Sequence, residues 1–301
     1  MSLKALFDVP APAKLNLFLH ITGQRADGYH LLQSVFMLID WCDTLHFELR
    51  NDGRIRRQDL TVALPADDLC LQAARLLQAE AATSSGADIS IAKHVPWGAG
   101  MGGGSSDAAS TLLALNQLWG LHWPLSRLLP LGLKLGADVP FFLGGHNAWV
   151  EGIGEKLTPV ALPLRHFAVI KPSASLETRV VFGDAGLERN TPAARIEGFV
   201  EYCKQANLHS KRLLEFGRND LQPVAEKHCA EVIHAANLLH NAFGNSRMTG
   251  SGSSVFAECG EENDELESSR FLAACASLPN TWVTRMCSNL PQHPLAYWLK
   301  P

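Results

Sequence analysis

The sequence predicts an α+β protein of two domains with a ligand-binding cleft between them. Up to about residue 160, segments that alternate like strands are interleaved with helical segments. The buried strand Phe167–Lys171 opens a second half, which is mostly helical from Glu197 onward. No low-complexity linker separates the halves, so the boundary depends on this change of pattern. We assign residues 1–160 to an N-terminal domain and residues 161–301 to a C-terminal domain.

Composition and charge are those of an ordinary globular protein. The chain has 301 residues, of which 47% are hydrophobic and 19% are charged, enough to bury a sizeable core. Its net charge of −4 gives no reason to expect nucleic acid or an anionic membrane as a partner. No apolar run is long enough to span a bilayer, and the first residues lack the apolar stretch of a signal peptide.

The cysteines point to a reducing compartment. There are seven of them, an odd number, widely spaced and without a Cys-x-x-Cys pair. This pattern favours free thiols in the cytoplasm and argues against a zinc site. The 12 histidines show no ligand spacing either. We therefore expect a cytoplasmic protein.

The first strong element is a strand predicted over Ala13–Thr22. Its leucines and isoleucine alternate onto one face, so Lys14 and Asn16 lie on the other. Polar residues on a strand face are usually solvated, but this stretch is otherwise apolar. The pattern therefore favours a lined site as much as a solvated surface.

The other elements follow from the same periodicities. Further strands are predicted over Thr44–Leu49, Ile89–Ala92, Ala148–Glu151 and Lys156–Thr158. Helices are predicted over Leu69–Ala82, Leu125–Leu135, Phe199–Ala206, Asp220–Leu239 and Asp264–Ser277. The polar segment Asn51–Pro65 is expected to carry a hairpin, and Pro130 to kink or break its helix.

The most distinctive stretch is a glycine-rich loop that leads into an apolar helix. Glycine accepts positive φ and lets a ligand approach the backbone closely. Successive N–H groups can then form an anion-binding concavity, and the helix start adds unpaired donors. A phosphate cradle is therefore predicted rather than a flexible linker, with Ser105, Ser106 or Asp107 as the helix cap. The predicted loop residues are Pro96, Trp97, Gly98, Ala99, Gly100, Met101, Gly102, Gly103, Gly104, Ser105 and Ser106.

The loop fits one nucleotide-binding motif better than the others. It is not a P-loop, because no Lys-Ser or Lys-Thr pair follows the glycines. Gly98–Gly103 matches the dinucleotide-binding fingerprint, but the acidic residue expected about twenty positions later is missing. The His-Arg-Asp and Asp-Phe-Gly motifs of protein kinases do not occur. The full string from Pro96 to Ala108 resembles the ATP-binding motif of the GHMP kinases, a family of small-molecule kinases.

Such a kinase needs a triphosphate cradle, a cation, and a group that positions or deprotonates the attacking hydroxyl. Asp138 is the candidate base, since an aspartate in an apolar run is costly to bury without a partner; its other interpretation is a helix cap or turn residue. Lys14 is the candidate cation and could pair with Asp138. ATP and Mg²⁺ are the expected cofactors, and Ser105 or Ser106 could ligate the metal.

Three alternatives stay open at this point. Another small-molecule kinase of the GHMP family is the alternative of the same class. A dinucleotide-binding oxidoreductase is an alternative of a different class, and it predicts NAD(H) binding without ATP turnover. A non-catalytic nucleotide sensor is the third, and the presence of both Lys14 and Asp138 argues against it.

Further motifs narrow the resemblance within the GHMP kinases. Lys14-Leu-Asn16, Asp27-Gly-Tyr29-His30, Gly136–Phe142 and Thr249–Phe256 occur in this order around the loop. Together they are similar to the members that phosphorylate a hydroxyl of cytidine diphospho-methylerythritol in non-mevalonate isoprenoid biosynthesis. This similarity extends over nearly the whole chain, so we expect that molecule and ATP as the small-molecule partners.

The resemblance implies the two-domain GHMP kinase fold, with the active site in the interdomain cleft. Lys14 and Asp138 match the catalytic pair of the family. Positions at the substrate are matched by Asn16, Tyr29, His30 and Phe182, and Phe182 matches an aromatic residue that stacks on the cytosine. The third glycine motif is matched by Gly250, Ser251, Gly252 and Ser253. Asp67-Asp68-Leu69 departs from the family's Asn-Leu near the adenine pocket. The expected assembly is a monomer or a weak homodimer.

Overall fold

The computed structural model describes residues 3–208, 211–260 and 265–299, and the side chains of 207, 208 and 299 lie outside this description. A six-stranded sheet forms the first half. Its strands are β1 (Ala5–Gln24), β2 (His30–Arg50), β3 (Ile55–Asp59), β4 (Gly86–Ala92), β5 (Ala148–Glu151) and β6 (Lys156–Pro159). The order is β3-β4-β2-β5-β6, and β1 pairs antiparallel with β2. β1 carries both predicted polar residues, and its pairing with β2 places Lys14 opposite Leu38 and Asn16 opposite Phe36.

Helices cover this sheet and form the first hydrophobic core with it. They are α1 (Leu69–Ala81), α2 (Gly103–Leu118), α3 (Leu125–Leu135) and α4 (Val139–Gly144). α2 is buried along almost all of its length, with Ala108, Leu112 and Leu115 fully enclosed. The glycine-rich loop therefore leads into a helix held firmly in the core, which fixes the position of the helix N-terminus.

A four-stranded sheet organises the second half. Its strands are β7 (His166–Lys171), β8 (Arg247–Met248), β9 (Val255–Glu258) and β10 (Val283–Ser288), in the order β10-β7-β9-β8. The accompanying helices are α5 (Thr178–Gly183), α6 (Ile196–Leu208), α7 (Gln222–His228), α8 (Ala230–Phe243) and α9 (Glu265–Cys275). Short 3₁₀ helices lie at Leu213–Glu215 and Ala296–Leu299. The expected α+β class is confirmed.

The two halves share buried contacts. Phe18 from the first sheet contacts Phe199 of α6, with ring centroids 6.3 Å apart. The end of the described chain returns to the first half, where Asn289 bridges to Ile39 and Leu295 joins the first core. The division at residue 160 therefore stays a prediction, since residues 289–299 contact the N-terminal half.

Two local expectations are wrong. Asn51–Pro65 does not fold as a hairpin: β3 pairs in parallel with β4, and α1 makes the crossover that a parallel pair requires. The helix expected over Asp220–Leu239 is divided by the extended backbone of Cys229 into α7 and α8. α3 continues through Pro130, so this proline does not break the helix, and the kink expected there stays a prediction. The predicted start of the last helix, at Asp264, lies outside the described residues.

Within the described ranges, none of the helices has both the length and the apolar character needed to cross a bilayer.

Candidate active site

The glycine-rich loop forms a cradle at the start of α2. Gly98, Gly100 and Gly102 have φ of 61°, 72° and 70°, a region that other residues rarely adopt. Gly102 occupies the N-cap position without a side-chain hydrogen bond to the helix. The predicted cap at Ser105, Ser106 or Asp107 is therefore wrong, because these residues lie in the first turns of the helix. The free N–H groups at the helix start are left for a ligand.

A cavity of about 310 Å³ lies against this loop. Its lining consists of Leu69, Lys93 and an unbroken run from Val95 to Ser105. Ser106 follows this lining, and its buried hydroxyl has no hydrogen-bond partner among the described residues. Backbone donors, a helix N-terminus and unpartnered hydroxyl oxygen suit a polyphosphate that carries a hard cation.

A buried ionic network beneath the loop was not predicted. The ammonium of Lys93 contacts the carboxylate of Asp43 and lies 2.5 Å from an oxygen of Asp107. Asp43 also accepts backbone N–H bonds from His94 and Val95, at 2.5 and 2.8 Å. Burial opposes the charge of Lys93, but the two carboxylates outweigh it and raise its pKa. The network joins the start of the loop to the first turns of α2.

The predicted third glycine motif comes from the second half and touches the first loop. The N–H of Ser254 donates to the carbonyl of Ala99 at 3.3 Å, and the hydroxyl of Thr249 lies 3.4 Å from the carbonyl of Gly100. Asn219 holds the motif by donating to the carbonyls of Met248 and Gly250, at 2.7 and 2.9 Å. The four predicted motif residues Gly250–Ser253 therefore lie beside the glycine-rich loop.

Lys14 and Asp138 approach each other at the edge of the cradle. The Lys14 Nζ lies 3.9 Å from a carboxylate oxygen of Asp138. The backbone N–H of Lys14 donates to the carbonyl of Met101 at 3.0 Å, so β1 is fixed against the loop. Asp138 precedes α4 at its cap position, but its side chain makes no capping hydrogen bond and is 32% exposed. Its partly exposed carboxylate therefore faces Lys14 and does not act as a side-chain helix cap.

The charge on Lys14 is held in a nearly dry site. The residue is 4% exposed, and its Nζ lies 4.6 Å from the ring centre of Phe36. Burial lowers the pKa of this lysine, and the carboxylate of Asp138 partly offsets that effect. Asn16 accepts a 2.5 Å hydrogen bond from the ammonium and also bonds Ser34 and Thr249. Asn16 therefore orients Lys14 and ties it to the second half.

The three predicted base-binding residues line one cavity of about 410 Å³. Tyr29 is the last residue of the turn that joins β1 to β2, His30 is the first residue of β2, and Phe182 comes from α5. The rings of His30 and Phe182 lie 5.2 Å apart, while Tyr29 is 62% exposed at the rim. The structure thus brings Phe182 to two neighbouring residues that precede it by about half of the chain.

Another cavity, largely apolar, adjoins the first residues of the glycine-rich loop. It has a volume of about 500 Å³ and shares Lys93, Val95, Pro96 and Trp97 with the loop cavity. The segment 62–65 forms its opposite wall. Asp67 and Asp68 stand where the family has its adenine-pocket motif. Their side chains pair instead with Arg75 and Arg57, each at 2.6 Å. The apolar wall and the exposed Trp97 offer a flat base better surroundings.

Two family models match the chain. The model described as the GHMP kinases N terminal domain matches residues 68–146, and the model for the GHMP kinases C terminal domain matches residues 198–277. Among curated proteins, a 4-diphosphocytidyl-2-C-methyl-D-erythritol kinase of Methylibium petroleiphilum is 62% identical over 99% of each chain. The protein of the same name from Variovorax paradoxus is 58% identical and covers 98% of this chain and 99% of its own.

Solved structures agree with these matches. A crystal structure of 4-(cytidine 5'-diphospho)-2C-methyl-D-erythritol kinase superposes with a TM-score of 0.77 at 29% identity, covering 94% of this chain and 98% of that chain. A mevalonate kinase structure covers 94% and 99%, with a TM-score of 0.67 at 14% identity. The second likeness shows the common fold.

Proposed function

The chain belongs to the 4-diphosphocytidyl-2-C-methyl-D-erythritol kinases of the GHMP kinase family, and on this premise we propose that it transfers the terminal phosphoryl group of ATP to a hydroxyl of that cytidine substrate. ATP use follows from membership of the family. The resulting product belongs to isoprenoid precursor biosynthesis by the non-mevalonate route. The dinucleotide-binding oxidoreductase and the nucleotide sensor are set aside, because the matched relatives are kinases.

The observation that carries this proposal is the Lys14–Asp138 pair beside the glycine loop. Asp138 is exposed enough to reach a substrate hydroxyl, and the buried Lys14 lies 3.9 Å behind it. We assign Asp138 to orient the hydroxyl and accept its proton, and Lys14 to stabilise negative charge on the reacting oxygens. The distance is long for an ion pair, which suits a pair that tightens around a bound substrate.

The subsites follow from the cavities. We assign the triphosphate to Pro96–Ser106 with support from Gly250–Ser253, and the adenine to the apolar cavity at 62–65. The cytosine is assigned to the cavity of Tyr29, His30 and Phe182, with Asn16 near the reacting end. Since Lys14 and His30 lie at different points along the paired strands β1 and β2, an elongated substrate is required to reach both.

The cofactor proposed with ATP is Mg²⁺. No group of three or more His, Cys, Asp or Glu side chains with metal-binding geometry occurs in the described ranges. A magnesium ion in such kinases is held largely by phosphate oxygens and water, so the protein ligand that we assign is the hydroxyl of Ser105 or that of Ser106. Bound there, the metal would neutralise charge on the phosphates.

We assign the protein to the cytoplasm, which the seven unpaired cysteines support. A monomer or weak homodimer remains the expected assembly, and sedimentation velocity tests it.

A coupled assay of ADP release tests the proposed activity. The purified protein with ATP and Mg²⁺ should turn over 4-diphosphocytidyl-2-C-methyl-D-erythritol at a rate far above that with homoserine or mevalonate. The cytosine cavity gives the reason, because neither alternative substrate carries a base that could occupy it. Equal turnover of the three substrates, or ADP release without any of them, would contradict the assignment.

Substitutions in the cytosine cavity should affect the two substrates unequally. Stacking on an aromatic side chain is worth about 1–3 kcal/mol per base, so Phe182→Ala and Tyr29→Ala should each raise the KM for the cytidine substrate by about 5- to 150-fold. The KM for ATP should stay within about twofold, since the adenine is assigned to a different cavity. Tyr297→Ala is the matched control, an exposed tyrosine outside the cavity. Variants that weaken ATP and the cytidine substrate equally would refute the stacking role.

A further inference from the structure

One charged side chain joins both walls of the cytosine cavity. Arg189, in the loop after α5, donates from Nε to Nε2 of His30 at 3.1 Å. The rest of its guanidinium donates to the carbonyls of Leu187, Asp184 and Phe182, at 3.1, 2.9 and 3.4 Å. The same group therefore holds the loop behind Phe182 and the imidazole of His30.

The hydrogen bond from Arg189 determines the tautomer of His30. A guanidinium is only a donor, so the Nε2 of His30 must be the acceptor. A neutral imidazole that accepts at Nε2 carries its hydrogen at Nδ1. The ring is thus held in one tautomer, with Nδ1 as the nitrogen left for a ligand in the cavity. Burial and the charge of Arg189 both lower the pKa of His30, in agreement with a neutral ring.

We propose that Arg189 is a positioning residue for the substrate base: it holds His30 neutral with an N–H at Nδ1, ready to donate to an acceptor on the base edge. The inference rests on the proposed function, because it takes the cavity to be the cytosine subsite. Cytosine presents acceptors at O2 and N3, and stacking alone cannot orient them. A fixed donor does so, and it requires no reorganisation when the substrate binds.

The other charged groups near His30 are paired with side chains other than its ring. Asp27, on the same turn as His30, pairs with Arg25 at 2.7 Å and accepts the backbone N–H of Tyr29. The carboxylate of Asp184 is bonded to His228 at 2.6 Å and lies 3.5 Å from Lys227. From the α5 side, the ring of Phe182 packs on the imidazole without a charge. Among these groups, Arg189 is the one that bonds the ring of His30.

The kinetic test compares Arg189→Met, Arg189→Lys and Arg179→Met. A hydrogen bond to a charged group is worth about 1.5–3 kcal/mol, so Arg189→Met should raise the KM for the cytidine substrate about 10- to 150-fold. The KM for ATP and kcat should stay within about twofold, because neither depends on the base-edge donor. Arg189→Lys keeps a donor and should recover part of the loss. Arg179 is the matched control, an arginine on α5 whose side chain is 88% exposed and bonds Glu177.

The pH profile separates positioning from a general loss of structure. Because Arg189 lowers the pKa of His30, its removal raises that pKa toward the ordinary value of about 6.5. In the wild-type protein, protonation of His30 would place an N–H at Nε2 against the donor of Arg189, so kcat/KM for the cytidine substrate should fall on the acid side. In Arg189→Met no donor opposes Nε2 and the charged ring keeps its N–H at Nδ1, so this acid limb should disappear, while it should stay in place in Arg179→Met. An unchanged limb, or equal weakening of ATP and the cytidine substrate, would overturn the proposal.

A spectroscopic measurement on the free protein needs no substrate and no turnover. The ¹⁵N shifts of His30 should report Nδ1–H in the wild-type protein and a mixture of tautomers, or the charged ring, in Arg189→Met. If that variant fails to fold, Arg189→Lys and the wild-type tautomer still decide the question. Nε2–H in the wild-type protein refutes the proposal. Failure of the wild-type protein to phosphorylate the cytidine substrate refutes the proposed function, while the tautomer result stands by itself.

Discussion

Replacing Asp138 by asparagine should reduce kcat by about 10²- to 10⁴-fold, the usual cost of losing a positioned acid–base group. Asparagine keeps the size and one hydrogen-bonding oxygen but cannot accept the proton of the substrate hydroxyl. It also leaves the buried Lys14 ammonium, now 3.9 Å from an uncharged partner, without its counter-charge. Affinity for ATP should change little, because the phosphate cradle is made of backbone groups 30 or more residues away in the chain.

Single-turnover kinetics and calorimetric titration with an ATP analogue measure the two quantities separately. Glu80→Gln is the control, since it removes one surface carboxylate that pairs with Lys134 at 2.8 Å. Exposed pairs of this kind contribute about 0–1 kcal/mol, so the control should keep its activity and its melting temperature. A near-normal kcat in Asp138→Asn would end the assignment of this residue as the base.

The local sequence was sufficient to predict the conformation of the glycine loop. It was not sufficient to predict the buried ionic network that holds the loop. The run of glycines before an apolar helix signals its own conformation, because positive φ and a free helix N-terminus are local properties. Asp43 and Lys93 carry no such signal. Asp43 lies inside the long strand β2 and Lys93 directly follows β4, and they meet Asp107 only after β2, β4 and α2 have packed. A charged residue within an apolar stretch is the one clue that the sequence offers for such a network.

The residues assigned to the cytidine substrate also divide into those that local sequence indicates and those that it does not. Lys14 and Asn16 were recognisable as polar residues on one strand face, and Asp138 as an acid among apolar neighbours. Arg189 stands among other polar residues in a turn-rich segment, where charges are usually solvated. Its contact with His30 joins positions 159 residues apart, so no local pattern could have indicated it. The resemblance to a family supplied Phe182, whose meeting with His30 also depends on the packing of the two halves.

The second large effect is expected at Gly100, where the two glycine motifs meet. Its φ of 72° costs a residue with a side chain about 1–2 kcal/mol. A Cβ at this position would also lie 2.3 Å from the carbonyl oxygen of Thr249 and 3.0 Å from that of Gly252, which are both backbone atoms. Gly100→Ala should therefore push the loops apart. A hydrogen bond to a charged group is worth about 1.5–3 kcal/mol, so the loss of one or two backbone contacts to the triphosphate should lower ATP affinity by about 100-fold.

Calorimetry with an ATP analogue measures this loss, and thermal unfolding shows whether the fold survives. The control is Gly198→Ala in α6, where a Cβ would meet no atom within 4 Å and φ is not positive. Alanine is the better helix former by about 0.5–1 kcal/mol, so this control should bind ATP normally and melt no lower than the wild-type protein. ATP affinity that is unchanged in a folded Gly100→Ala protein would mean that the triphosphate does not depend on the contact between the two motifs. In that case the cradle would have to be assigned to the helix N-terminus alone.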